Sequence, residues 1–155
     1  MRILTLLLAA IALSGCATAT PAGTGGVPGD QRASEQDCAV FAAIARQHYR
    51  FTDPASTPRV WSPVRMDNGD TYAVECDWAG LNVPIPGTTD PTLETPLPGR
   101  PIQWVKFERP VYGMQSATVQ TGILHGPLAG SGFECDLVSG VAGWTVRECR
   151  QTWIS

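Results

Sequence analysis

The spacing of apolar residues predicts one helix near the start of the folded part of the chain. Between Ser34 and Arg50, apolar side chains recur at three- and four-residue intervals, which is the period of an amphipathic helix. Ser34 is placed to cap this helix, and Asp37 three residues later completes a weaker form of the capping box. One face of the helix is therefore expected to pack on an apolar surface. That face carries Cys38, Phe41, Ala45, His48 and Tyr49.

A period of two begins after the helix and predicts a β-hairpin. Two strands, Arg59 to Met66 and Thr71 to Trp78, flank Asp67-Asn68-Gly69-Asp70, and Asn-Gly is a strong signal for a tight turn. Alternation along the second strand sends one set of side chains toward the core. This set consists of Tyr72, Val74, Cys76 and Trp78.

More strands are predicted toward the C-terminus, where glycine-containing turns separate them. They run from Ile102 to Arg109, Ala117 to Leu124, Ser131 to Val138 and Trp144 to Trp153. The preceding segment, Leu81 to Pro101, is rich in proline, so we expect an exposed loop that is either a contact surface or disordered. The pattern as a whole predicts an α+β fold, in which one N-terminal helix packs on a meandering antiparallel β-sheet.

The N-terminal pattern is that of an export signal. Behind the basic Arg2, the stretch from Ile3 to Leu13 is almost entirely apolar, but it is shorter than the about 20 residues that cross a bilayer core. The stretch ends in Leu13-Ser14-Gly15-Cys16, and this motif resembles the cleavage and acylation site of bacterial lipoproteins. The alternative is an ordinary secretory signal, which could be cleaved a few residues later at Ala17-Thr18-Ala19.

The resemblance to lipoproteins implies that residues 1–15 are removed as a signal peptide and that Cys16 becomes lipidated. Ala17 rather than an aspartate follows the cysteine, which in Gram-negative lipoproteins implies transport to the outer membrane, with the domain in the periplasm. Residues 16–30 are rich in glycine, proline, alanine and threonine and predict a flexible tether. Residues 31–155 have the length of a single domain.

Composition narrows the classes of partner. The chain has 14 acidic and 11 basic residues, a formal net charge of −3 and no cluster of basic residues, so a nucleic acid is not expected as a partner. The expected partners are the membrane, through the N-terminal lipid, and an envelope protein or polymer.

The cysteines predict disulfide bonds. Assignment of Cys16 to lipidation leaves an even number of the remaining cysteines, and in the oxidising cell envelope this predicts two disulfides. Zinc is the alternative, but the chain has no Cys-x-x-Cys pair and only two histidines, so neither a metal nor another cofactor is expected. The four remaining cysteines are Cys38, Cys76, Cys135 and Cys149.

Three ways of pairing these cysteines are possible, and the predicted elements favour one of them. Cys38 lies on the apolar face of the helix and Cys76 on the inner face of its strand, so we expect these two residues to pair. Cys135 and Cys149 would then pair by elimination and join the last two strands.

The second of these pairs depends on the phase of the last strand. Strict alternation from Trp144 sends Cys149 to the face opposite that of Cys135. A β-bulge near Arg147 and Glu148 would restore the phase. Without such a bulge, Cys149 would pair elsewhere.

Five short motifs mark the last third of the chain. They are Phe107-Glu108-Arg109-Pro110-Val111-Tyr112, Ala117-Thr118-Val119, Gly126-Pro127-Leu128-Ala129-Gly130-Ser131-Gly132, Gly143-Trp144-Thr145-Val146 and Trp153-Ile154-Ser155. Together they resemble a widespread group of uncharacterised exported bacterial domains. In that group the glycine turn commonly carries two cysteines, where this chain has His125 and Ala129. The resemblance implies an α+β envelope domain and implies no particular activity.

Candidate catalytic residues are few. His125 precedes the glycine-rich turn and could act as a base toward Ser131, but the chain has no Gly-x-Ser-x-Gly motif, so we interpret His125 as a turn residue. No residue is assigned a catalytic role. These features predict a lipid-anchored protein whose periplasmic domain binds a partner or takes part in envelope assembly. The alternative is a small hydrolase or small-ligand-binding protein that uses His125.

Paired carboxylates and tryptophans are the remaining candidates for chemistry. Glu75 with Asp77 and Glu134 with Asp136 are same-face pairs on predicted strands, and we interpret them as exposed charge. The tryptophans are expected to fill the core, although one or two at a sheet edge could form a platform for a carbohydrate or a peptide. They are Trp61, Trp78, Trp104, Trp144 and Trp153.

Overall fold

The computed structural model describes residues 31–67, 69–90, 103–126 and 128–155. Cys16, the predicted signal peptide and the predicted tether lie outside these residues, as do residues 91–101 of the proline-rich segment. Among the described residues, no helix is long and apolar enough to span a membrane.

One helix, α1 (Glu35–Gln47), is found in the described part of the chain, and the other regular elements there are strands. In chain order the strands are β1 (Gln31–Arg32), β2 (Arg59–Trp61), β3 (Val64–Arg65), β4 (Thr71–Ala73), β5 (Thr88–Thr89), β6 (Trp104–Phe107), β7 (Val111–Tyr112), β8 (Ser116–Gly126), β9 (Ala129–Gly140) and β10 (Gly143–Ile154).

The predicted capping box opens α1. The backbone N–H of Asp37 donates to the hydroxyl of Ser34 at 3.1 Å, and the backbone N–H of Ser34 donates to the Asp37 carboxylate at 2.9 Å. The helix ends at Gln47 rather than at the predicted Arg50. Arg50 has a φ of 56°, in the left-handed region, and a residue in that conformation ends a right-handed helix.

A small sheet contains the predicted hairpin. Strand β4 pairs with β3 in the antiparallel sense and with β1 in the parallel sense. Both hairpin strands are shorter than predicted, since the first is interrupted between β2 and β3 and the second ends at Ala73. Pro63 lies at the interruption and has no N–H to donate to a neighbouring strand. The two halves of the predicted first strand therefore belong to different sheets.

The larger sheet has the strand order β10-β9-β8-β6-β2-β5, and β7 pairs with β8 outside this path. The last three strands form the predicted antiparallel meander. Strand β2 instead pairs in parallel with β5 and with β6. The prediction of one antiparallel sheet is thus wrong in detail, because the fold has two sheets with parallel pairs in each. Strand β5 also lies within the segment that was predicted to be a loop.

Both predicted disulfides are present. Cys38 of α1 is bonded to Cys76, with 5.6 Å between the Cα atoms, and Cys135 of β9 is bonded to Cys149 of β10, with 4.0 Å between the Cα atoms. The register shifts between Val146 and Glu148, so Arg147 is the extra residue of the predicted bulge. The shift places Cys149 directly opposite Cys135.

The core lies between α1 and the inner faces of the sheets. The rings of Phe41 and Phe107 stack there with their centroids 4.9 Å apart, and Phe41 also meets Tyr72 edge-on. Trp78 and Trp104 are buried, as expected of tryptophans that fill a core. The other tryptophans are partly exposed, and the most exposed of them lies at the sheet edge.

Candidate functional site

An indole ring lies on a bed of glycines on the outer face of the large sheet. Trp153 belongs to β10, and the glycines beneath it belong to β8 and β9. A Cβ atom on Gly132 would lie 1.9 Å from Nε1 of Trp153, and Cβ atoms on Gly122 and Gly130 would each lie 3.3 Å from its benzo ring. The indole can approach the sheet this closely because these positions have no side chains. Trp153 nevertheless keeps 43% of its surface exposed.

A second bulge places this ring on the outer face. The register of β10 against β9 shifts between Gln151 and Trp153, in addition to the shift at Arg147. Without the second shift, alternation from Arg150 would turn Trp153 toward the opposite face. This bulge is not among the features predicted from the sequence, and the glycines opposite the tryptophan are the signal that could have indicated it.

Polar side chains lie beside the indole on the same outer face of the large sheet. Gln120 Nε2 donates to Glu134 Oε2 at 2.6 Å, and Arg150 Nη2 donates to Glu134 Oε1 at 2.5 Å. One step further along the strands, the Thr118 hydroxyl donates to Asp136 at 2.8 Å. We call these residues together with the tryptophan the outer strip. It comprises Thr118, Gln120, Glu134, Asp136, Arg150 and Trp153.

A cavity lies at the end of the outer strip that is remote from the indole. Its volume is about 440 Å³, and its lining includes Thr118 and Asp136 of the strip. Arg147, the extra residue of the first bulge, and Glu148 also line it. From Gly132 beneath the indole to Asp136, the strip extends about 14 Å at about 3.4 Å per residue. This length suits an extended ligand better than a compact one.

The two carboxylates of the outer strip are less exposed than the sequence predicts. Glu134 and Asp136 are partly buried, and both are engaged by neighbouring strands, since Arg150 Nη2 also lies 3.6 Å from Asp136. The residues of the other predicted pair, Glu75 and Asp77, have different partners in the described part of the chain. Glu75 accepts a hydrogen bond from Arg32 at 2.7 Å, whereas Asp77 accepts one from the backbone N–H of Gly80.

His125 and Ser131 are not brought into a catalytic arrangement. His125 is exposed and is the extra residue at a register shift in β8, whereas Ser131 pairs with Ile123. Among the described residues, no hydrogen bond joins His125 to Ser131 or to a carboxylate. The geometry therefore gives neither residue the base or nucleophile role that a hydrolase would require.

Asp37 is a buried carboxylate that the sequence identified only as a capping residue. Besides its cap contact, it accepts a hydrogen bond from the Tyr72 hydroxyl at 2.9 Å and one from the Tyr112 hydroxyl at 2.6 Å. Burial acts to raise the pKa of Asp37, but the hydrogen bonds from Tyr112, Ser34 and Tyr72 outweigh it and lower the pKa below its ordinary value. Its oxygens are thus committed to structural contacts.

The pKa values of Tyr72 and Tyr112 are raised, chiefly by burial of the two hydroxyls and then by the hydrogen bond that each donates to Asp37. Tyr72 and Tyr112 therefore stay neutral and act as donors.

One group of described side chains has the spacing of metal ligands. His48, Cys135 and Cys149 offer ligand atoms that all lie within 4.8 Å of one another. The two sulfurs are joined in the second disulfide. The imidazole lies between the rings of Tyr49 and Phe133, with centroid distances of 4.7 Å to each. Burial lowers the pKa of His48 below its ordinary value, because the charged form is poorly solvated there.

Comparison of the chain with protein-family models, with curated proteins and with solved structures finds no match. The functional assignment therefore depends on the residues of this chain alone.

Proposed function

We propose that this protein is a lipid-anchored envelope protein whose domain binds a glycan polymer along the outer strip. The observation that carries the proposal is the exposed indole of Trp153, seated on glycines beside Gln120, Glu134 and Arg150. The anchor is argued from the sequence around Cys16 and from the tether that follows it.

The indole has the chemistry that a sugar ring requires. Sugar rings present a face of C–H groups that stacks on an aromatic ring, and their hydroxyls bind to amides, carboxylates and guanidinium groups at the rim. Trp153 offers the ring, and the neighbouring Gln120 and Arg150 offer polar donors. The glycine bed supports the indole from below, so little side-chain freedom is lost when a ligand binds.

The charges of the strip favour a hydroxyl-rich ligand over a polyanion. Arg150 is already paired with Glu134 and lies close to Asp136, so two carboxylates offset its positive charge. The net charge of −3 also disfavours binding of a polyanion. Paired charges are held in place by each other and present their remaining hydrogen-bonding capacity to hydroxyl groups.

The predicted location makes the cell-wall glycan the polymer within reach. The tether that the sequence predicts for residues 16–30 would have an r.m.s. extension of about 20 Å, from about 5 to 6 Å times the square root of its length. A domain held at this distance from a membrane meets the adjacent wall rather than soluble sugars. An extended polymer also suits the length of the outer strip.

Co-sedimentation with purified peptidoglycan sacculi tests the proposal. The mature protein is expected to pellet with sacculi, and Trp153→Ala is expected to remove most of the pelleted fraction. Ile154→Ala is the matched control, because Ile154 is 73% exposed on the same strand and lies outside the strip. Equal pelleting of the Trp153→Ala and control variants would refute the role of the strip.

A second arm separates the glycan from its peptides. Sacculi that an amidase has stripped of peptide stems should retain the protein, because the proposed contacts are with sugar rings. Retention only by intact sacculi would show that the peptide stems, and not the glycan, are recognised.

The alternative function, a hydrolase that uses His125, is not favoured by any geometric observation. His125 is exposed, and no carboxylate among the described residues is bonded to it. We therefore propose no catalytic activity.

A further inference from the structure

Three side chains from three elements converge at the C-terminal end of α1. His48 is the C-cap residue of the helix, Cys135 lies in β9 and Cys149 lies in β10. Cys135 is fully buried, and the other two residues are partly buried. Their ligand atoms lie within 4.8 Å of one another. This convergence is independent of the outer strip, which lies on the opposite face of the same strands.

The spacing is close to that of a zinc site with two thiolates and one imidazole. Zinc binds sulfur at about 2.3 Å and histidine nitrogen at about 2.0 to 2.1 Å, so its ligand atoms lie about 3.5 to 4 Å apart. A small rotation of side chains brings atoms that are 4.8 Å apart or less to these separations. The disulfide prevents coordination, because its sulfurs are not thiolates.

We propose that reduction of the Cys135–Cys149 disulfide creates a zinc site formed by His48, Cys135 and Cys149. The disulfide accepts two electrons and two protons from a dithiol reductant, which becomes a disulfide itself. Zn²⁺ then binds the two sulfurs and the imidazole nitrogen and displaces both thiol protons. A water molecule completes the tetrahedral set, as in zinc sites with three protein ligands.

The ligand set stays assembled after reduction because other bonds hold α1 on β10. Gln47 Nε2 donates to the backbone carbonyl of Trp144 at 3.2 Å, and Gln47 Oε1 accepts from the backbone N–H of Val146 at 2.9 Å. Aromatic contacts with Tyr49 and Phe133 hold the imidazole. The backbone pairing of Cys135 with Cys149 belongs to the β9–β10 ladder and does not need the sulfur bond.

The other disulfide offers a control within the same molecule. Cys38 and Cys76 line a cavity together with Glu35, Glu75 and Asp77, and no histidine lines that cavity. Among the described residues, they do not belong to any group with metal-ligand spacing. The proposal therefore predicts metal binding at only one of the two reduced cysteine pairs.

Zinc binding by the full mature protein tests the proposal. The protein is reduced with a dithiol without oxygen, freed of reductant and titrated with Zn²⁺ against a chromophoric chelator. We expect one Zn²⁺ per reduced chain and none per oxidised chain. His48→Ala should weaken binding by at least about 10-fold, the lower end of the loss seen for second-shell changes. His125→Ala, which changes the other histidine, should leave the affinity unchanged.

Alkylation supplies a readout at single residues. Zn²⁺ should slow the reaction of Cys135 and Cys149 with iodoacetamide and leave Cys38 and Cys76 unprotected, as measured by peptide mass spectrometry. Equal protection of all four cysteines, unchanged affinity in His48→Ala, or absence of zinc binding by reduced protein would each overturn the proposal. So would loss of the cooperative thermal transition on reduction, because the ligand set would then not be preassembled.

Discussion

The hydroxyl of Tyr112 lies 2.6 Å from Oδ1 of Asp37, although the two residues are 75 positions apart. The contact joins β7 to the first turn of α1. Asp37 also accepts hydrogen bonds from the Tyr72 hydroxyl and from the backbone N–H of Ser34. One carboxylate therefore connects the helix N-terminus with strands of both sheets. A short hydrogen bond to a charged acceptor is stronger than one between neutral groups, so this contact contributes to holding α1 in place.

Replacement of Asp37 is therefore expected to destabilise the fold. Asp37→Ala removes the acceptor of two tyrosine hydroxyls and of the Ser34 N–H, and we expect a loss of about 1 to 3 kcal/mol in the free energy of unfolding. Chemical denaturation measures this loss of unfolding free energy. Gln36→Ala is the control, since Gln36 is exposed in the same turn and its change should stay within about 0.5 kcal/mol. Equal effects of both substitutions would contradict the role of Asp37.

The stability of the fold should depend on pH through two groups. The folded state lowers the pKa of Asp37 below its ordinary value of 3.8, so its stabilising contribution is present above that pH and is lost as the pH falls through the lowered pKa. The folded state also lowers the pKa of His48 below 6.5, so the unfolded state takes up this proton more readily and stability decreases as the pH falls below 6.5.

Thermal unfolding across pH separates the two contributions. Asp37→Asn should remove the loss of stability in the acidic range below pH 3.8 and leave the loss below pH 6.5. His48→Gln should do the reverse. A wild-type transition temperature that is constant between pH 7 and pH 5, about the range in which histidine titrates, would be inconsistent with the burial of His48.

The glycine bed predicts a specific effect of an added methyl group. In Gly132→Ala the new Cβ would lie 1.9 Å from Nε1 of Trp153, so the indole must leave its position. We expect a shift of tryptophan fluorescence toward that of a fully exposed indole, a loss of about 1 to 3 kcal/mol in stability and a loss of sacculus binding.

Gly126→Ala is the control for this substitution. Gly126 lies at the end of β8, the neighbouring strand that supplies Gly122 beneath the indole, and a Cβ there meets no atom of the described residues within 4 Å apart from its own chain neighbours. The fluorescence of the Gly126→Ala protein and its pelleting with sacculi should match those of the unmodified protein. If Gly132→Ala retained full binding, the indole would not be the contact that we propose.

Membrane attachment should depend on Cys16. In Cys16→Ser the proposed acceptor of the lipid is absent, and we expect the protein to leave the detergent-rich phase or to accumulate with an uncleaved signal. Acylation by several chains makes attachment effectively permanent at about 0.8 kcal/mol for each buried methylene, so the change in partitioning should be complete. Cys16→Ser protein that has lost its signal and still partitions with membranes would show that something other than a lipid on Cys16 attaches the protein.

Local patterns determined the elements whose signals are close together in sequence. The capping box of Ser34 and Asp37 placed the start of α1, and the alternating runs placed β8, β9 and β10 to within a few residues. These features depend on backbone hydrogen bonds and side-chain periods within about ten to twenty residues, the range that a single sequence pattern can report. The phase mismatch at Cys149 likewise indicated the bulge at Arg147, because a disulfide restricts which faces can meet.

Only the tertiary structure decided which strands are neighbours and which side chains share a surface. The split between β2 and β3, and the parallel pairing of β2 with β5 and β6, join segments that are distant in sequence. The bulge before Trp153 reverses the faces of the residues that end β10, and it carries the indole onto glycines of two other strands. Such choices depend on packing between distant segments, whose free energies do not appear in the period of any one of them. For that reason the sequence predicted the cysteine pairs and the helix, whereas the outer strip and the cluster of His48 with Cys135 and Cys149 became visible only in three dimensions.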